Sequence, residues 1–206
     1  MMLAGSVALV VGADSAIGAA IVRGLIARDA AKVYAETCDD RGGSLPSGTA
    51  NPVVEIARTG RVGELARELT DVTLLVNCLV AGQYSRRTPT VGRTVKLIDA
   101  FAPVLRANGG GAVVNVLSVL HAEQALGNTA PTSSRPFAEW MLADGLRDRL
   151  AAQQTQLLFL SAQLVVGREE QALDDQRALA GHIATRLLHQ LEAAPPGERL
   201  PAFVRF

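Results

Sequence analysis

Short runs of hydrophobic residues alternate along this chain with longer segments in which hydrophobic positions recur every three or four residues. The short runs are typical of strands buried on both faces, and the periodic segments are typical of amphipathic helices. Strands are predicted at residues 7–11, 32–36, 53–56, 74–78, 112–117 and 156–161, with a short seventh candidate at 202–204. Helices are predicted at residues 17–28, 62–69, 91–107, 136–153 and 176–193.

This alternation predicts an α/β fold, in which strand-helix-strand units build a parallel sheet with helices on both faces. We expect one domain over residues 1–206, with a doubly wound sheet of about six or seven strands, because a chain of this length buries a substantial core. Residues 39–51 are rich in Gly, Ser, Pro and Thr, and they replace the helix expected after the second strand. They are predicted to form an exposed loop.

Charge and composition narrow the classes of partner. The chain carries 20 Lys and Arg against 20 Asp and Glu, without a basic block, so we expect no nucleic-acid partner. No uncharged apolar stretch is long enough to span a bilayer, and the N-terminal residues lack the pattern of a signal peptide, so we expect a cytoplasmic protein without membrane contact. Cys38 and Cys78 have no CxxC or histidine pairing, which predicts buried or semi-buried thiols and neither a disulfide framework nor a metal site.

The most informative segment runs from the first strand into the first helix. After the apolar run at residues 7–11, Gly12 allows a sharp turn. Gly18 allows the following helix to pack close to the strand with its free N–H groups facing a phosphate. The alternative is a strand-to-helix turn that binds nothing.

The sequence V-G-A-D-S-A-I-G at positions 11–18 resembles the Thr-Gly-x-x-x-Gly-Ile-Gly loop of the short-chain dehydrogenase/reductase family, which has a Rossmann-like fold. Ala16 stands in place of the middle glycine, and Asp14 adds a negative charge. A carboxylate within about 5 Å of a pyrophosphate costs on the order of 1 kcal/mol unless it turns to solvent or caps the helix. If a nucleotide binds, the resemblance implies contacts from Gly12, Ser15, Ile17, Gly18 and Asn77.

Other landmarks of the family are retained in part. Asn77 is what is left of an Asn-Asn-Ala-Gly motif, and Ser118 stands where the family places a serine that hydrogen-bonds the substrate carbonyl. The family's Tyr-x-x-x-Lys pair aligns with Pro131 and Arg135, and neither tyrosine nor lysine occurs after Lys96. That tyrosine protonates the developing alkoxide, a role worth about 10²- to 10⁴-fold in rate. The resemblance therefore implies that the standard hydride-transfer machinery has been lost.

Candidates for another chemistry follow the strands, because ligands of open parallel sheets bind at the carboxyl ends of the strands. The catalytic candidates are Ser118, His121 as a base, and Tyr84 as a proton donor from a different loop. For each of them a structural or surface role is the alternative. Glu36 ends the second strand, where it is predicted either to take ribose hydroxyls or to be a solvated acid.

The helix at 136–153 is too apolar for a helix with one wet face, and it carries Phe137 and Trp140. In members of the family this helix and the one at 91–107 form the dimer interface. The resemblance therefore implies a homo-oligomer, and burial within one chain is the alternative.

These observations predict the fold of the family without its standard redox machinery. The expected function is a non-redox enzyme of the cyclase, dehydratase or isomerase type in a bacterial biosynthetic pathway, acting on a small-molecule ligand, or a non-catalytic subunit that pairs with a similar dehydrogenase-like protein. The predicted cofactor is accordingly none or unknown. The alternative is an NAD(P)-dependent oxidoreductase of the family with a relocated catalytic acid.

Overall fold

The computed structural model of this chain describes residues 1–37, 53–57, 61–81, 91–122, 144–166, 171–193 and 204–205. Within these ranges the strands are β1 (Val7–Val11), β2 (Lys32–Thr37), β3 (Val53–Ala57), β4 (Leu74–Ala81), β5 (Gly111–Ala122), β6 (Thr155–Val166) and β7 (Val204–Arg205). The helices are α1 (Ala16–Ile26), α2 (Val62–Glu68), α3 (Val91–Ala107), α4 (Asp144–Ala151) and α5 (Gln171–Ala193).

The described strands form one parallel sheet in the order β3-β2-β1-β4-β5-β6-β7. The chain moves outward from β1 to β3, returns to the other side of β1 at β4, and then continues to β7. The carboxyl ends of β1 and β4 therefore lie where the strand order reverses, which is where open α/β sheets bind ligands. The prediction of an α/β, Rossmann-like fold with a doubly wound parallel sheet is confirmed.

Helices cover both faces of the sheet. On one face α1 and α5 pack against even-numbered residues of β1, β4, β5 and β6, such as Val10 and Val76, and against odd-numbered residues of β2, such as Val33. On the other face α2, α3 and α4 pack against odd-numbered residues of β1, β4, β5 and β6, such as Leu9 and Leu75, and against Tyr34 of β2. Because both faces are covered, β1 is buried along nearly its whole length, as its uninterrupted apolar run predicts.

Most element boundaries agree with the sequence pattern. β1 and α3 begin and end where they are predicted, whereas β4, β5 and β6 extend further at their carboxyl ends than the apolar runs indicate. Of the helix predicted at 136–153, the structure describes α4, and residues 136–143 lie outside the described ranges. The loop predicted at 39–51 also lies outside them. Within the described ranges, no helix is long and apolar enough to cross a membrane.

Candidate functional site

The loop between β1 and α1 requires both of its predicted glycines. Gly12 has φ +76°, and a Cβ there would lie 2.7 Å from the carbonyl oxygen of Cys78 on β4. A Cβ on Gly18 would collide with the carbonyl oxygen of Gly12. The start of α1 is thus held against the end of β1 at a distance that no side chain allows, which is the close approach expected from the sequence.

Ser15 caps α1. Its Oγ accepts the amide of Gly18 at 3.0 Å and donates to the carbonyl oxygen of Gly12 at 2.7 Å. The amides of Ala16 and Ile17, the first two of the helix, have no carbonyl within the helix to bond. They are the groups at this end of α1 that suit an anion, since a helix N-terminus also carries a partial positive charge.

Asp14 does not cap the helix, because Ser15 does so, and its side chain is exposed. Its charge still reaches the sheet. Burial, with a smaller contribution from the charge of Asp14, raises the pKa of the Cys78 thiol to about 12. Cys78 is therefore a protonated thiol, and it is buried, as predicted, whereas Cys38 lies outside the described ranges. Asp14 places negative charge next to the glycine loop.

The carboxylate of Glu36 is not a solvated acid, so that reading of the sequence is wrong. Glu36 is fully buried, and both of its carboxylate oxygens accept hydrogen bonds from the guanidinium of Arg93, one of them at 3.1 Å. The backbone carbonyl of Glu36 accepts the amides of Gly12 and Ala13, each at 3.0 Å. Glu36 thus joins the first turn of α3 to the glycine loop.

Two asparagines extend the buried polar contacts that Glu36 and Arg93 form. The Nδ2 of Asn77 donates to the Oδ1 of Asn115 at 2.9 Å, and both side chains are fully buried. Among the described residues, the Oδ1 of Asn77, the Nδ2 of Asn115 and the Oγ1 of Thr94 on α3 have no hydrogen-bond partner. Glu36, Asn77 and Asn115 lie in one register row that runs across five strands and also contains Val11 and Phe159.

The three catalytic candidates are only partly covered by the described residues. Ser118 lies in β5, where its backbone is in register with Val80 of β4 and Ala162 of β6. His121 lies further along β5, toward the carboxyl edge, in register with Val165. Tyr84 lies outside the described ranges, as do Pro131, Arg135, Phe137 and Trp140. The proximity of Ser118, His121 and Tyr84 to one another stays a prediction.

The other tyrosine of the chain, Tyr34, points its hydroxyl toward the amino ends of the strands, away from the carboxyl ends where the catalytic candidates are predicted. The Nζ of Lys32 lies 3.1 Å from the hydroxyl of Tyr34 and 2.7 Å from the carboxylate of Asp71, and the Tyr34 hydroxyl donates to Asp71 at 3.0 Å. Lys32 begins β2, so this cluster lies at the amino end of the strands. A tyrosine-lysine contact is present in the described part of the chain, but it lies far from the crevice where a ligand would bind.

Sequence reasoning missed Arg93. It lies 57 residues from Glu36 in the chain, and no local motif announces the pair. The sequence holds only a weak signal for this pair. Arg93 lies one turn before Leu97, where the apolar face of α3 begins, and Glu36 is an acid at the end of a buried strand.

Comparison with known proteins identifies the fold. No family model and no curated protein matches the sequence. Among solved structures, a short-chain dehydrogenase from Burkholderia cenocepacia in complex with NADP is 24% identical, with 94% of this chain and 95% of that chain covered and a TM-score of 0.59. L-sorbose reductase from Gluconobacter frateurii, complexed with NADPH and L-sorbose, is 17% identical over 100% and 97% of the two chains, with a TM-score of 0.69.

A short-chain type dehydrogenase/reductase from Mycobacterium ulcerans is 13% identical over 100% of this chain and 89% of that one, with a TM-score of 0.72. At these identities the likeness concerns the fold. The chain has the fold of the short-chain dehydrogenases/reductases, as the resemblance of residues 11–18 implies.

Proposed function

We propose that this chain binds a nicotinamide dinucleotide at the loop between β1 and α1 and works as an oxidoreductase whose proton donor is not the family tyrosine. The observation that carries the proposal is the packing of Gly12 and Gly18, which brings the first turn of α1 against the end of β1. The proteins of the same fold from B. cenocepacia and G. frateurii are complexed with NADP and NADPH, which favours the same class of cofactor for this loop.

The residues of this chain fit such a cofactor in part. The amides of Ala16 and Ile17 would hold pyrophosphate oxygens, and Ser15 fixes the turn that presents them. When bound, the nicotinamide would supply a hydride to a carbonyl carbon. Ser118 would hold the carbonyl oxygen, and His121 or Tyr84 would donate the proton to it. At the end of β2 the fit is poorer, since the carboxylate of Glu36 is already bonded to Arg93.

Calorimetric titration of the purified protein with NADH and with NADPH tests the proposal. We expect dissociation constants in the micromolar range, and a several-fold gain in affinity in Asp14→Asn, which removes the charge next to the loop. Gly63→Ala is the matched control, because a Cβ on Gly63 of α2 would meet nothing within 4 Å. Absence of binding of either dinucleotide at millimolar concentration would overturn the proposal.

A second candidate is the function without redox chemistry, either an enzyme of the cyclase, dehydratase or isomerase type or a non-catalytic subunit. It is favoured by the lack of tyrosine and lysine after Lys96 and by the position of the Tyr34–Lys32 contact at the amino edge of the sheet. In this reading the crevice takes a small molecule other than a dinucleotide, or the chain pairs with a similar protein. The same titration separates the two candidates, since only the first requires dinucleotide binding.

Association of two copies through helices 91–107 and 136–153 is compatible with both candidates. The outer face of α3 exposes Lys96, Asp99 and Pro103, and Asp99 accepts a hydrogen bond from Arg149 of α4 at 2.6 Å. Sedimentation analysis of the wild type and of Pro103→Asp, a charge placed on this face, tests the interface. We expect the dimer to weaken in the variant, and an unchanged oligomeric state would exclude this face.

A further inference from the structure

The polar contacts at the end of β2 bear on which dinucleotide the loop accepts, and the inference drawn from them rests on the proposed function. In dinucleotide-binding sheets of this kind, an acid at the end of the second strand accepts hydrogen bonds from the ribose hydroxyls of the adenosine half. Glu36 occupies that position, and its backbone carbonyl is bonded to the amides of Gly12 and Ala13 in the glycine loop. A nucleotide held by the loop therefore lies close to Glu36.

The carboxylate of Glu36 is not available to a ribose. Arg93 bonds both carboxylate oxygens, the Glu36 side chain is fully buried, and that of Arg93 is 10% exposed. Such a bidentate arginine–carboxylate pair has a formal net charge of zero. An unpaired carboxylate at this position would attract the 2′-hydroxyl and repel a 2′-phosphate, whereas the neutral pair has little of either effect.

We propose that Arg93 is a specificity-determining residue, because it neutralises Glu36 and so admits a dinucleotide with a 2′-phosphate. The affinity for NADPH then equals or exceeds that for NADH, to within about threefold, even though β2 ends in an acid. Arg93 acts through Glu36, and the ratio of NADPH to NADH affinity follows the net charge of the Glu36–Arg93 pair.

Calorimetry of NADPH and NADH binding in four variants tests this role. In Glu36→Gln the pair carries one positive charge, and we expect the ratio of NADPH to NADH affinity to rise about tenfold. In Arg93→Met it carries one negative charge, and the ratio should fall about tenfold. The double variant is neutral again and should return to within about threefold of the wild-type ratio. Lys96→Met removes an exposed charge one turn further along α3 and should leave the ratio unchanged.

The outcomes separate the two proposals. If the wild type binds neither dinucleotide, the proposed function fails, and the role of Arg93 fails with it. If dinucleotides bind but the ratio is the same in Glu36→Gln and in the wild type, or if the wild type prefers NADH by more than about threefold, only the role of Arg93 is overturned. If Arg93→Met does not fold, because a buried carboxylate loses its two hydrogen bonds from the guanidinium, Glu36→Gln and the double variant still decide the question.

Discussion

Strand β2 carries an ion pair at each end, and the two pairs lie in opposite surroundings. At the amino end, Lys32 and Asp71 are 2.7 Å apart with side chains 34% and 41% exposed. At the carboxyl end, Glu36 and Arg93 have side chains 0% and 10% exposed. Both pairs have oppositely charged partners in contact, so the difference between them is the access of water.

That difference has physical consequences for the two edges of the sheet. Water screens the charges of Lys32 and Asp71, so their contact contributes little to stability and tolerates change. Glu36 and Arg93 have lost their hydration and depend on each other, because an isolated charge in the interior is strongly unfavourable. Among the described residues, Glu36, Arg93, Thr94, Asn77 and Asn115 are buried polar side chains toward the carboxyl ends of the strands, whereas Lys32 and Asp71 at the amino end of β2 are partly exposed.

Breaking each pair gives the largest expected contrast. Arg93→Met removes both guanidinium hydrogen bonds to the buried carboxylate of Glu36 and should lower the free energy of unfolding by about 3–5 kcal/mol. Asp71→Asn removes one partner of the exposed pair and should cost at most about 1 kcal/mol after screening by solvent is allowed for. Urea denaturation of both variants beside the wild type measures the two losses. Equal losses would contradict the contrast between the edges.

The glycine loop extends the contrast to the backbone. Gly18→Ala places a methyl group against the carbonyl oxygen of Gly12, and shifting α1 to relieve the collision should cost about 3 kcal/mol. Gly63→Ala in α2 meets open space and should stabilise the helix by up to about 1 kcal/mol, because alanine has the higher helix propensity. Thermal unfolding of the two variants gives the comparison. A Gly18→Ala protein as stable as the wild type would show that the loop is not held as closely as described.

The sequence predicts the elements better than the polar contacts between them. β1 and α3 are predicted with their observed ends because an apolar run and a helical period define them locally. The carboxyl halves of β5 and β6 are missed because polar residues such as Ser118, His121 and Gln163 interrupt the apolar pattern there. The Glu36–Arg93 pair depends on how α3 packs over β2, and no spacing within the sequence encodes that contact.

The asparagine pair offers a finer test of the buried carboxyl edge. Asn115→Leu removes the acceptor of the Asn77 side chain and leaves both ends of that buried amide without a partner in the part of the chain that the structure describes, which should cost about 2 kcal/mol. The double variant Asn77→Leu/Asn115→Leu buries no unpaired group at the two positions and should recover most of that loss. Denaturation midpoints of the single and double variants measure the coupling. Additive losses would show that the two side chains do not depend on each other.

The smallest expected effect is the pH dependence of the stability that the Lys32–Asp71 pair contributes at the amino end of β2. Desolvation pushes the pKa of Asp71 upward, but the hydrogen bonds from Lys32 and Tyr34 outweigh it, so that the pKa lies below its usual value. A carboxyl group with a lowered pKa in the folded state stabilises the fold above its unfolded pKa of about 3.9, and this contribution is lost as the pH falls through the folded value.

The difference in unfolding free energy between the wild type and Asp71→Asn, at most about 1 kcal/mol near pH 6, should therefore shrink toward zero as the pH falls through the lowered pKa of Asp71. Urea denaturation over a series of acidic pH values measures it. A difference that grows on acidification would mean that Asp71 is destabilised by its burial more than it is stabilised by Lys32 and Tyr34. The amino edge would then resemble the carboxyl edge, where desolvation governs the energetics of the charged groups, and the contrast between the two ends of β2 would not hold.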